Sequence, residues 1–205
     1  MSRRKKARYG VLGYRGASLN SLWLIIGINV VLFIVTVVNP NVMYGYLGLV
    51  PAQLASEPWT VLTGMFMHAG IGHILFNMLT LFFFGMFLGR LVGELRFVVV
   101  YFGGGLLGNL LYILVAFLMG SPYVMAVGAS GAIFALGGAL AVLVPRTKVF
   151  VFPIPVPIPL WVAVIGGFLL ISFWPGIAWQ AHLGGLAFGL ASGFYFRKRR
   201  PVYWL

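Results

Sequence analysis

The chain of 205 residues has no cysteine and no aspartate, and Glu57 and Glu94 are its only carboxylates. Without cysteine there is no disulfide, no thiolate metal site and no cysteine nucleophile. Without aspartate, a Ser-His-Asp triad, a two-aspartate protease, an EF-hand and a P-loop magnesium site are excluded. Charge of any kind is scarce. Only 8% of residues are charged, where a soluble domain carries about 25%. A water-facing surface cannot be built from so few, and 61% of the chain is hydrophobic. These absences define a polytopic membrane protein of one domain.

What charge there is has one sign, a formal +12. Its placement argues against nucleic acid as a partner. Arg3, Arg4, Lys5, Lys6, Arg8 and Arg15 lie in a front tail, and Arg197 to Arg200 in a rear one. Basic tails of this kind touch anionic membrane lipid on the cytoplasmic side. The front tail resembles the start of a signal peptide. No small-residue cleavage site follows the first apolar run, so that run is expected to be retained.

A spanning helix needs about 20 apolar residues. Six such segments occur, at about 21–38, 73–92, 96–118, 126–145, 159–175 and 179–196. The expected architecture is therefore an all-α bundle of six transmembrane helices over residues 21–196, with tails at 1–20 and 197–205. With the N-terminus inside, the inner segments 1–20, 90–96, 145–158 and 197–205 hold six, two, two and four of the 14 Lys and Arg. The outer loops hold none, so both termini are expected to be cytoplasmic. Pro153, Pro155, Pro157 and Pro159 alternate before the fifth span and read as an extended connector. The long outer loop, 39–72, carries Tyr44, Tyr46, Trp59 and Phe66. It is expected to lie partly in the membrane interface.

Small residues recur every four positions at Gly131, Ala135 and Ala139, and at Ala181, Gly185, Gly189 and Gly193. Helices in lipid associate by close backbone approach along such stripes. Strongly polar groups in or just before the spans are few, and His68, His73, Asn77, Asn109, Ser130 and His182 are the candidates among them. Ser172, Ser192 and Thr80 read as hydroxyls bonded to their own helix backbone. His68, His73, Asn77, Ser130 and His182 lie in or just before the outer ends of the second, fourth and sixth spans, which places them in one shallow layer.

Three chemistries compete for that layer. A zinc site lacks carboxylate and thiolate ligands, and no H-E-x-x-H is present. A proton pathway normally uses intramembrane acids. Nucleophilic catalysis fits better. Ser130 stands in Gly128-Ala129-Ser130-Gly131, with access to its hydroxyl, and a neutral imidazole is a suitable base for it. The glycine-lined faces of Ser130 and His182 can pack closely, giving a dyad with no acid. Phe134 shares the face of Ser130 and can hold the imidazole by stacking. His73, Asn77 and the Ser130 amide are candidate oxyanion donors.

The order of these motifs resembles the rhomboid intramembrane serine proteases. Pro58-Trp59-Thr60 through His68, then His73-Ile74-Leu75-Phe76-Asn77, is similar to their loop and second helix. Gly128-Ala129-Ser130-Gly131 resembles their nucleophile motif, and Ala181-His182-Leu183-Gly184-Gly185 that of the base. The resemblance implies Ser130 as nucleophile, His182 as general base and acid, and His73 and Asn77 as oxyanion donors. It implies support from His68, Phe134, Gly128, Gly131 and Gly185. The implied partners are transmembrane protein substrates cleaved near the outer face, with the fifth span as a moving gate. No cofactor, no metal and no obligatory oligomer are implied. The implied setting is the cytoplasmic membrane of a prokaryote. The alternative is a catalytically silent relative that binds membrane clients.

Overall fold

A computed structural model describes residues 19–151 and 154–198. The basic tails, up to Arg15 and from Arg199, and Pro153 lie outside the described residues. Helices occupy each of the six apolar segments. They are α1 (Asn20–Val38), α4 (Ile71–Val92), α5 (Glu94–Leu118), α6 (Ser130–Leu143), α7 (Leu160–Ser172) and α8 (Trp179–Lys198). Two short helices, α2 (Pro40–Leu47) and α3 (Thr60–Thr63), fold the loop between α1 and α4.

Three of these helices, α1, α4 and α5, are long and apolar enough to cross a membrane. Their exposed faces are apolar. Ile71, Leu75, Phe76, Leu79 and Phe83 of α4 are all exposed at helical spacing, as a lipid-facing stripe requires. The chain is an integral membrane protein on this composition and surface.

The fourth segment differs from expectation. Its helix begins at Ser130 rather than 126, and its 14 residues rise only about 21 Å, short of the hydrocarbon core of about 30 Å. The physical cause lies in the preceding backbone. Leu49 and Ala126 exchange both backbone hydrogen bonds, at 3.1 and 2.8 Å, and Gly128 N–H donates to the Gly64 carbonyl at 2.9 Å. Residues 126–128 thus bond to the 39–72 loop instead of to a helix. Gly128 has φ +129°, a conformation that only glycine adopts without strain. The fifth segment also shortens, to 160–172. Its extended connector pairs Lys148 with Pro159 and Val149 with Ile158 in two short antiparallel strands, β1 (Lys148–Val149) and β2 (Ile158–Pro159).

Helix α6 is the centre of the bundle, with only Ser130, Phe134 and Leu143 not buried. It is enclosed by α8, α5, α4 and α7. The α6–α8 contact is backbone on backbone. A Cβ at Gly185 would fall on the Gly131 carbonyl, and one at Gly189 on the Ala135 carbonyl. A Cβ at Gly193 would stand 2.9 Å from the Ala139 carbonyl oxygen. The two small-residue stripes therefore face each other in register. On α5, Gly108 meets the Ala181 carbonyl, so α8 is clamped from both sides.

At the opposite end of the bundle, Glu94 closes the start of α1. Its Oε1 accepts from both the backbone N–H and the hydroxyl of Ser21, each at 2.7 Å. The loop between α1 and α4 is anchored by Asn109, whose Nδ2 donates to the Val61 carbonyl at 2.7 Å. The Trp59 indole N–H donates to the Tyr46 carbonyl at 2.7 Å.

Candidate active site

The polar residues converge at helix N-termini. Ser130 opens α6, where the first backbone N–H groups have no carbonyl a turn earlier. His182 lies in the first turn of α8, His73 in the first turn of α4, and Asn77 one turn further on. The close α6–α8 approach at Gly131 and Gly185 brings Ser130 and His182 into contact. Ser130 Oγ is 2.7 Å from His182 Nε2. His182 is 3% exposed, while Ser130 remains partly open. Phe134, one turn along α6, packs on the imidazole with ring centroids 4.6 Å apart and planes tilted by 40°.

His73 approaches the same point from α4. A Cβ on Gly128 would lie 2.8 Å from His73 Nε2 and 3.7 Å from Ser130 Oγ. The missing side chain at Gly128 is therefore the space that lets His73 reach the serine. His73 Nδ1 accepts the Ala69 backbone N–H at 3.4 Å. An imidazole accepting at Nδ1 carries its proton on Nε2 when neutral, so His73 presents a donor toward Gly128 and Ser130. Asn77 Nδ2 donates to the His73 carbonyl at 2.8 Å, which leaves its second N–H for another acceptor. His73 Nε2 thus approaches the serine across Gly128, the Ser130 amide opens α6 beside it, and Asn77 stands one turn further along α4 with an N–H to spare.

His68 stands behind this group. It is fully buried, and its ring meets His73 edge-on with centroids 5.0 Å apart. Its carbonyl accepts the Tyr44 hydroxyl at 2.9 Å, which ties the loop ahead of α4 to α2. Burial pushes the His68 imidazole down to about 4, and the neighbouring His73 adds to the effect. It is held as a neutral ring at physiological pH. Among the described residues no three metal-ligating side chains gather into a metal site.

One reading from the sequence needs correction. Ser172 does not simply bond its own helix. Its Oγ lies 2.8 Å from His182 Nδ1, and the pair is buried. Thr80, by contrast, does donate to the Phe76 carbonyl of its own helix, at 2.8 Å. The signal that could have identified Ser172 is its position, four residues ahead of the Gly176 turn that reverses the chain into α8.

An all-helical integral membrane protein with a part-buried serine–histidine pair at its helix N-termini is the class these observations define. A family model described as the Rhomboid domain matches residues 55–199. The rhomboid-family protein YdcA of Bacillus subtilis (strain 168) is 38% identical over 145 residues, covering 67% of this chain and 65% of that protein. Rhomboid protease GluP of the same organism is 34% identical over 153 residues, covering 70% of this chain and 28% of that protein. RHOMBOID-like protein 4 of Arabidopsis thaliana is 34% identical over 150 residues, covering 73% of this chain and 36% of that protein. The chain belongs to the rhomboid family, and it spans between about a third and two thirds of the length of most of these relatives.

Proposed function

We propose that the protein is an intramembrane serine endopeptidase that cleaves transmembrane segments of other proteins near the outer membrane face. The observation that carries this reading is the 2.7 Å contact between Ser130 Oγ and His182 Nε2, supported by the donors around it. In the proposed reaction, Nε2 takes the Ser130 proton as Oγ attacks a peptide carbonyl. His73, Asn77 and the Ser130 N–H receive the developing oxyanion. Protonated His182 returns its proton to the leaving amine, giving an acyl-enzyme. Water, deprotonated by the same imidazole, then releases the acid product and restores Ser130. Phe134 keeps the ring from turning between steps.

The substrate must unwind before attack, because a helix in lipid commits its carbonyls to internal hydrogen bonds. Small residues at the cut would favour that opening. Membrane lipid is the surrounding partner, and neither nucleic acid nor a second copy is required by this chemistry. The proposed topology has six spans with both termini in the cytoplasm, and the proposed setting is a prokaryotic cytoplasmic membrane. The absence of cysteine makes topology directly testable. A cysteine at the exposed Tyr46 should react with an impermeant maleimide added outside, and one at Lys148 should react only after permeabilisation. The reverse pattern would overturn the orientation.

The activity test is fluorophosphonate labelling of purified protein in detergent, together with cleavage of a reconstituted transmembrane substrate. Labelling and cleavage should both vanish in Ser130→Ala and in His182→Ala, with folding retained. A folded wild type that neither labels nor cleaves would overturn the enzymatic reading.

A further inference from the structure

We infer that Ser172 is a positioning residue that orients His182 and offers its Nδ1 proton a buried acceptor. The inference rests on the proposed protease reading, and it concerns the face of the imidazole that the reaction itself leaves unused.

For Nε2 to accept from Ser130, a neutral His182 must carry its proton on Nδ1. That N–H is buried, since His182 is 3% exposed, and a buried donor without an acceptor is costly. A carboxylate usually fills this role. Here none can. Glu94 bonds Ser21 at the far end of the bundle, and Glu57 lies in the loop before α4. The atom that stands at Nδ1 is Ser172 Oγ, at 2.8 Å.

The setting of Ser172 makes an incidental contact a poor explanation. Helix α7 buries only Leu160, Val164 and Ser172. Ser172 occupies the last turn, and it is 1% exposed between exposed neighbours, Ile171 and Phe173. The Pro175-Gly176 turn, with Gly176 at φ +80°, returns the chain so that α8 opens beside it. The hydroxyl is thus carried to the imidazole by tertiary geometry. With Phe134 against the ring face and Ser130 at Nε2, it is the third restraint on His182.

A hydroxyl is neutral, so it orients the ring without the charge stabilisation that an aspartate supplies. Its loss should cost about tenfold in kcat, the scale of a neutral hydrogen bond. KM should not change, because Ser172 faces away from the substrate side of the ring.

The test uses full-length protein with ¹⁵N-labelled histidine. Only three histidines are present, so His182 can be assigned by comparison with His182→Ala. Wild type should show His182 protonated and hydrogen-bonded at Nδ1. Ser172→Ala should show mixed tautomers, fluorophosphonate labelling about tenfold slower and an unchanged KM. Ser172→Thr, which keeps the hydroxyl, should recover the Nδ1 tautomer and most of the rate. Wild-type kcat and an unaltered His182 spectrum in folded Ser172→Ala would overturn the inference. If Ser172→Ala does not fold, the wild-type spectrum decides alone, and an Nε2-protonated His182 refutes it. Failure of the protease reading is distinct, because wild type would then not label at all.

Discussion

Placing a single methyl group at Gly185 should separate the Ser130 and His182 side chains. Its Cβ would fall on the Gly131 carbonyl, well inside van der Waals contact. Backbone atoms of α6 cannot rotate aside as a side chain can. The helices must therefore part, by roughly 1 Å, or the local backbone must distort. Overpacking of a tight core costs about 1–3 kcal/mol. The larger effect is on chemistry. Gly131 follows Ser130 directly, and His182 precedes Gly185 by one turn, so parting the helices at this contact stretches the 2.7 Å dyad. A misplacement of about 1 Å costs on the order of 10²-fold in rate. Gly185→Ala should therefore melt at a lower temperature and label with fluorophosphonate about a hundredfold more slowly. Gly166→Ala and Gly167→Ala are the controls, because a Cβ at either position meets nothing within 4 Å. Both should melt at or above the wild-type temperature, since alanine favours helix over glycine. Gly185→Ala with wild-type melting and labelling would refute the backbone contact as the source of the dyad's geometry.

Three further outcomes follow from the same geometry. Asn77→Ala should lower kcat by up to about 10²–10³-fold with KM little changed, as loss of an oxyanion donor does. An unchanged kcat would remove Asn77 from the donor set. Gly128→Ala combines a φ of +129° with a Cβ placed 2.8 Å from the His73 ring, and such backbone strain costs about 1–3 kcal/mol. It should displace His73 and slow labelling, and a wild-type labelling rate would contradict the role given to the gap at Gly128. His68 makes stability depend on pH. Its folded value of about 4 lies below the ordinary 6.5, so between these the unfolded chain binds a proton that the folded one refuses. This contribution is fully present above about pH 6.5 and is lost as pH falls toward 4, by about 3 kcal/mol in all. Thermal melts in detergent from pH 7 to pH 4 should show the decline, and it should be shallower in His68→Leu. A parallel decline in His68→Leu would place the effect elsewhere.

The sequence made the helices and their pairing legible for a simple reason. Stripes of Gly and Ala at four-residue spacing predict which faces of α6 and α8 touch, and Gly131–Gly185 and Ala135–Gly189 meet as that spacing requires. Ser130 and His182 are adjacent to those stripes, so their proximity was legible with them. The start of α6 was not. An apolar run says nothing about where its backbone hydrogen bonds go, and residues 126–128 bond to Leu49 and Gly64, more than 60 positions earlier. Hydropathy averages over that exchange, and the helix is four residues shorter at its front for it. The exchange also has a chemical consequence. A helix starting at 126 would have committed the Ser130 amide to a carbonyl one turn back. Starting at Ser130 leaves that amide free to donate.

Ser172 eluded the sequence for a different reason. A serine in an apolar helix has a local partner always within reach, the carbonyl four residues earlier. Sequence supplies that partner and hides any other. What decided the matter was a turn, Pro175-Gly176, whose direction depends on one positive φ. His73 and Gly128 show the same limit from the opposite side. The motif places the histidine on α4 and the glycine before α6, but nothing in their spacing says that one occupies the side-chain space of the other. Their relation became visible only as a distance, 2.8 Å from an absent Cβ to Nε2. In both cases the residue's local environment was predictable, and its chemical role came from a neighbour supplied by another helix. That is the expected division in a bundle held by backbone contact. Small residues fix how close the helices come, and that closeness, rather than any motif taken alone, decides which polar atoms meet.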